Sequence, residues 1–258
     1  MAVQDQHDEH AAPARLRFSR EGGREPAVVG HRGSPRRARE NTLESFRAAA
    51  REGASWVELD ARRSADDVVV VHHDPATSDG RPLVEQRAAD LARVGVADLA
   101  AVLAGLPAGL GVDVECKNLP GEPDYDDRQP LASMVAEVLA GVGEPERPVL
   151  VTSFNPVLLL AFSDRLPSTP TGLLHTHGMT VSAGIDLAVE LGVAALCPFR
   201  DCADLSAATV AAAHRAGLAV LVWTVNDALR ARDLAGAGVD ALCTDDPAAI
   251  SAALGPAS

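Results

Sequence analysis

The run AVLVWTVNDALRARDLAGAGVDALCTDD, residues 219–246, holds one complete unit of the fold. Ala219–Trp223 is short, apolar and β-rich, as a buried strand is. Asn226 offers an N-cap, Ala228–Ala235 is rich in helix formers, and Gly238 fits just past the helix end. Asp240–Cys243 then reads as a second strand. Two strands joined through a helix predict parallel pairing, because a parallel crossover needs a dozen or more residues.

The same rhythm runs outward from this unit to Pro26 on one side and to the last helix on the other. Further strand-like runs are Ala27–Gly30, Trp56–Asp60, Val112–Cys116, Val149–Ser153, Thr171–Leu174 and Ala194–Cys197. Helical runs follow them, at Leu43–Glu52, Asp98–Leu106, Leu131–Val142, Val157–Leu166, Ala183–Leu191 and Ala207–Ala216, with Ala248–Leu254 last. Eight strand–helix units predict an α/β protein of the (β/α)8 TIM-barrel type. An open doubly wound sheet is the alternative, but no G-x-G-x-x-G follows the first strand. One run, Val68–His72, follows Asp60 too closely for a crossover helix, so it reads as a β-hairpin arm above the barrel mouth. Residues 1–25 are polar and aperiodic and read as a disordered tail, leaving 26–258 as a single catalytic domain.

Composition narrows the classes of function. The chain has 258 residues, 47% of them apolar and 23% charged, which fits a globular domain. The formal net charge of -13 argues against nucleic acid as a partner. No apolar run is long enough to span a membrane. Cys116, Cys197, Cys202 and Cys243 make no disulfide framework, and the N-terminus lacks an apolar signal core, so a reducing, cytoplasmic location is expected.

In a (β/α)8 barrel, chemistry gathers where the strands end. Glu58 and Asp60 are two apart on one strand and so share its inner face, with Glu115 inward on the next. Three carboxylates without a cysteine pattern suit an oxygen-preferring ion, Mg2+ or Ca2+. Neutralisation by Arg32 and Lys117 alone is the alternative. His31 and His73 are candidate proton carriers, whereas His72 alternates away from the site. Arg32 and Lys117 suit a phosphate oxyanion, and Trp223 a wall for a small-molecule substrate. Asp113 lies deeper, as a buried polar partner for Lys117 or a strand-bottom group rather than a metal ligand. Trp56 belongs to the barrel bottom, and His175 and His177 to a loop at the mouth.

These residues resemble the glycerophosphodiester phosphodiesterase family. The likeness runs from His31-Arg32-Gly33 through Glu40-Asn41-Thr42 and Leu43–Phe46 to Val57–Asp60 and Val70–Asp74. It continues through Val114–Lys117, Ser153-Phe154 and Trp223–Asn226 to Thr244–Pro247. The resemblance implies a barrel of the kind also found in phosphoinositide-type phospholipases (a PLC-like phosphodiesterase). It implies Glu58, Asp60 and Glu115 as metal ligands, His31 and His73 as acid and base, and Arg32 and Lys117 on phosphate. It further implies Trp223 on the glycerol end. The sequence departs from the pattern at Arg39, where the family has Pro, and at Pro75–Gly80. The insertion before the third strand is short. The implied reaction releases glycerol 3-phosphate and an alcohol. The alternatives are a lysophospholipase D-type hydrolase, a non-catalytic phosphodiester-binding barrel and a sugar-phosphate isomerase or aldolase. Lys117 is the only lysine, which disfavours Schiff-base versions of the last.

Overall fold

The computed structural model describes residues 16, 18, 25–142, 147–175 and 178–255. Among them are nine strands and nine α-helices, alternating except where β3 follows β2 and α3 follows α2. The strands are β1 (Ala27–Gly30), β2 (Trp56–Arg63), β3 (Val69–Val71), β4 (Gly111–Cys116), β5 (Val149–Ser153), β6 (Thr171–Leu174), β7 (Ala195–Cys197), β8 (Ala219–Val222) and β9 (Ala241–Thr244). The helices are α1 (Leu43–Arg51), α2 (Ala88–Arg93), α3 (Leu99–Gly105), α4 (Pro130–Gly141), α5 (Pro156–Arg165), α6 (Val181–Glu190), α7 (Ala207–Arg215), α8 (Ala228–Ala237) and α9 (Pro247–Leu254). All strands but β3 pair in parallel. Strand β1 pairs with both β2 and β9, so the sheet closes into the expected eight-stranded barrel. No helix among the described residues is long and apolar enough to cross a membrane.

Side chains alternate between two cores, as a closed sheet demands. Val57, Leu59, Val112, Val114 and Val151 face the helices in one cluster. Val29, Trp56, Leu150, Ala195, Leu221, Ala241 and Cys243 fill the barrel interior in another. Trp56 is the largest of these interior side chains and packs close against β4. Gly111 makes that possible, since a Cβ there would meet the Trp56 ring at 2.3 Å.

Three features depart from the sequence reading. Strand β2 runs on to Arg63, because antiparallel pairing with β3 (Ala61 with Val71, Arg63 with Val69) extends it past Asp60. The arm is covered from one side by the unexpected helix α2, whose only buried residue is Leu91. One buried residue makes no periodic stripe, so periodicity cannot reveal such a helix. The α8 N-cap is Asp227 rather than Asn226, whose side chain is committed elsewhere. Asp246 caps α9 as expected.

The stretch read as a disordered tail departs from that expectation at Phe18. Its ring is 4% exposed, packs 5.1 Å from Trp56, and its carbonyl accepts the indole N–H of Trp56 at 3.1 Å. Leu16 packs on the same cluster. The rest of that stretch lies outside the described residues.

Phe18 therefore closes the barrel bottom under Trp56. Phe18→Ala is expected to cost about 3 kcal/mol of stability, the usual scale for emptying a buried aromatic site. Deleting residues 1–24 should cost at least as much. Urea unfolding followed by tryptophan emission measures both, and an unchanged midpoint in either variant would show that Phe18 contributes nothing.

Candidate active site

The inward parity of each strand continues past its last paired residue and carries polar groups onto the rim. Strand β1 presents Ala27, Val29 and then His31. Strand β2 presents Trp56, Glu58, Asp60 and Arg62, and β4 presents Asp113, Glu115 and Lys117. Trp223 follows β8, and Asp245 follows β9. Cross-strand register sets Asp60 beside Glu115 and Glu58 beside Asp113.

His31 opens a tight turn whose Gly33 N–H returns to the Gly30 carbonyl at 3.0 Å, and its own N–H bonds the Thr244 carbonyl at 2.8 Å. Its ring Nδ1 lies 2.6 Å from Asp245 Oδ1. A carboxylate only accepts, so Nδ1 carries the proton there and Nε2 is left for the cavity. Asn226 holds Asp245 in turn. Its Nδ2 donates to Asp245 Oδ2 at 2.6 Å, while its Oδ1 accepts from the Asp245 N–H and the Thr244 hydroxyl. Burial disfavours the Asp245 carboxylate, but the His31 hydrogen bond and charge outweigh it and hold the carboxyl below its ordinary range.

Glu58, Asp60 and Glu115 are all buried and offer oxygens within 4.8 Å of one another. Asp60 accepts from Asn41 Nδ2 at 2.8 Å, with Arg32 Nε 3.2 Å from one oxygen and Lys117 Nζ 3.1 Å from the other. Lys117 also donates to Glu115. Burial works against Asp60, yet Lys117 and Arg32 bring its pKa down to about 2. Glu58 fares differently. Its desolvation, added to the charges of Asp60, Glu115 and Asp113, pushes its pKa well above the usual range. Glu58 Oε1 and Asp60 Oδ1 are buried without a hydrogen-bond partner, the latter facing Lys117 outside bonding geometry. The cluster thus sets two cationic side chains against three carboxylates and keeps oxygen atoms free for a ligand. Both features fit a divalent cation with oxygen ligands.

One step deeper, Asp113 accepts from the Thr152 hydroxyl at 2.8 Å. Lys117, its expected partner, reaches up to Asp60 and Glu115 instead. Burial raises the Asp113 pKa to about 8; the Thr152 bond opposes this, and the charges of Glu115 and Asp60 add to it.

His73 arrives from the arm. The His72 N–H bonds the Asp60 carbonyl at 2.9 Å, and the His73 carbonyl accepts from Arg62 Nε at 2.7 Å. Its ring Nδ1 lies 2.7 Å from Asp74 Oδ1. A cavity of about 290 Å3 is lined by His31, Arg32, Glu58, His73, Glu115 and Lys117 at its polar side. Asp113 and Thr152 lie among its deeper lining residues, and Leu119, Phe154 and Trp223 make an apolar wall. Asp60 sits fully buried behind it. Trp223 is fixed by its indole N–H on the Cys197 carbonyl and by edge contacts with Phe154 and Phe199. His72 turns its ring to the Asp74 carbonyl and does not line this cavity. His175 is buried against the Thr180 carbonyl and Cys202, away from it. His177 lies outside the described residues.

Sequence reasoning gave no role in the site to Asp245, Asn226, Asn41, Arg62 or Glu122. Parity pointed to two of them: Arg62 continues the Glu58–Asp60 series, and Asp245 continues Ala241–Cys243.

Residues 31–249 match the glycerophosphoryl diester phosphodiesterase family. The chain belongs to that family. Among its relatives is the glycerophosphodiester phosphodiesterase of Caldanaerobacter subterraneus, 26% identical over 235 residues, covering 85% of this chain and 94% of the relative. A phosphodiesterase of Oleispira antarctica, solved in complex with the product sn-glycerol-3-phosphate, superposes with a TM-score of 0.78 at 27% identity. That match covers 89% of this chain and 96% of the other. The glycerophosphodiester phosphodiesterase of Thermotoga maritima shares the fold at a TM-score of 0.71 and 21% identity, covering 86% and 96%.

The raised Asp113 pKa has a definite sign in stability. The folded protein keeps a proton that the unfolded chain, with a carboxyl near ~3.9, gives up. That contribution is full below the unfolded pKa and is lost as pH rises towards about 8. In chelator, Asp113→Asn should therefore gain melting temperature relative to the native protein as pH goes from 5 to 8. A difference that stays constant over this range would mean that the folded carboxyl is ionised.

Proposed function

We propose that this protein hydrolyses glycerophosphodiesters to glycerol 3-phosphate and an alcohol, using one divalent cation and two histidines. The observation that carries the reading is the meeting of His31, His73 and the Glu58–Glu115 side of the carboxylate cluster on one small cavity. The product-bound Oleispira phosphodiesterase supports the substrate class.

Glu58, Asp60 and Glu115 would hold the cation, Mg2+ or Ca2+, which when bound supplies positive charge against the phosphate oxygens. Arg32 and Lys117 border the same side of the cavity and add to that charge. A phosphodiester anion repels nucleophiles, so this neutralisation is the first requirement of the reaction. His31 Nε2 faces the cavity with Asp245 behind the ring. It takes the proton of the attacking hydroxyl, and Asp245 then faces the imidazolium. His73, half-exposed at the mouth, gives a proton to the departing alcohol oxygen. With water as the attacking group, the new bond is water oxygen to phosphorus and the broken bond is phosphorus to the alcohol oxygen. The histidines swap protonation states in that displacement and return to their starting states by proton exchange with solvent before the next turnover. Trp223 and Phe154 offer the glycerol end an apolar face.

The same cavity favours a small diester over a long-chain lipid. Leu83, Leu91 and Val96 of the insertion are buried in a small core under the arm, leaving no apolar lip there among the described residues except Val94.

Glycerol 3-phosphate release from glycerophosphocholine and glycerophosphoethanolamine tests the reading. Activity should vanish in EDTA and return with Mg2+ or Ca2+. Release that persists after exhaustive metal removal would take the cation out of the reaction. His31→Ala and His73→Ala should each lower kcat ~10²-fold or more with the fold intact. Asp245→Asn should lower it less than His31→Ala does, because it alters the ring's orientation and leaves Nε2 in place. Wild-type kcat in either histidine variant would end its assignment.

A further inference from the structure

Arg62 is the third residue of the inward series that begins with Glu58 and Asp60, and it is 1% exposed. A guanidinium buried this far is tolerable only where acceptors meet its N–H groups. Four contacts do so. Nε donates to the His73 carbonyl at 2.7 Å, Nη1 to Asp124 Oδ2 at 2.7 Å and Glu122 Oε2 at 2.9 Å, and Nη2 to Glu122 Oε1 at 3.2 Å. One side chain therefore joins three segments. They are the strand that carries two of the carboxylates, the arm that carries His73, and the loop between β4 and α4.

That loop supplies Leu119 and Glu122 to the cavity. Its base is held by a separate set of buried amides: Asn118 on Gln129 and the Asp126 carbonyl, and Asn155 on Gln129 and the Asn118 carbonyl. Its tip is held by Arg62. The ring of His73 leans on Asp74, which is 70% exposed and lends little rigidity. The arm pairing stops at Val71, so beyond the His72 N–H the His73 peptide depends on Arg62.

We propose that Arg62 is a positioning residue for His73, clamping its peptide to β2 and seating the 119–124 loop as the outer wall of the cavity. This rests on the reading of His73 as a proton carrier. The guanidinium spends four of its donors on the protein and so acts through the groups that it holds. Misplacing a catalytic group by about an ångström costs up to ~10²-fold in rate.

Arg62→Met alone would leave Glu122 and Asp124 without their counter-charge, so the decisive variant also carries Glu122→Gln and Asp124→Asn. Its kcat is expected to fall ~10- to 100-fold, by more than any change in KM from the loosened wall. Cation affinity measured by calorimetry should stay at the wild-type value, because Glu58, Asp60 and Glu115 keep their partners. Amide hydrogen exchange should quicken together in residues 72–79 and 117–126. Arg62→Lys keeps the charge but not the fork, and should show a smaller fall in kcat with the same paired exchange; it serves if the triple variant does not fold. Wild-type kcat, or a rise in KM alone, overturns the proposal. So does exchange that quickens in neither segment or in only one. Exchange needs no turnover, so paired quickening upholds the clamp even if the diesters tested prove not to be substrates.

Discussion

Three carboxylates buried within 4.8 Å of one another are the costly feature on which the rest of this barrel mouth depends. Each would rather be in water, and each repels the other two. The fold answers with Arg32, Lys117 and Asn41, which bring Asp60 far down in pKa. The answer is incomplete. Glu58 is left with a raised pKa and an oxygen without a partner. A site built only for stability would have been closed by another cation or by apolar packing. The deficit is what makes the cluster fit a divalent ion, and two of its carboxylates line the same cavity as both histidines.

The surroundings of the cluster are graded. Beneath it, Asp113 is held by Thr152, and burial raises its pKa to about 8. Beside it, His31 is oriented through Asp245 by Asn226, a chain of hydrogen bonds that fixes which ring nitrogen faces the cavity. Above it, His73 stands on an arm that depends on β2 for both its strand pairing and its peptide anchor. On the far wall, Trp223 is pinned between Phe154 and Phe199. The floor is thus built into strands, and one histidine follows directly on β1. The second histidine and the outer wall are held by Arg62, a side chain of β2.

Two kinds of correction separate the sequence reading from the folded protein. Some follow from local competition. Asn226 could cap α8 as well as Asp227 can, but only Asn226 is placed to bond Asp245, and Asp227 takes the cap. Others follow from length. Helix α2 and the Phe18 plug each bury a single large side chain, too little to leave a periodic signature, yet one covers the arm and the other seals the barrel.

The sequence by itself determined the strand–helix alternation, the barrel, and the inward face of each strand. Those rest on periods of two and 3.6 residues that any buried sheet and amphipathic helix must obey. Parity alone therefore put Glu58, Asp60, Glu115, His31 and Lys117 on one rim. Only the tertiary structure decided which of these groups meet. His31 finds Asp245 across 214 residues, and Arg62 finds Glu122 and Asp124 across about sixty. It also turned Lys117 away from Asp113. Such pairings depend on barrel closure and on loop paths, which carry no periodic pattern, so no local reading of residues could supply them.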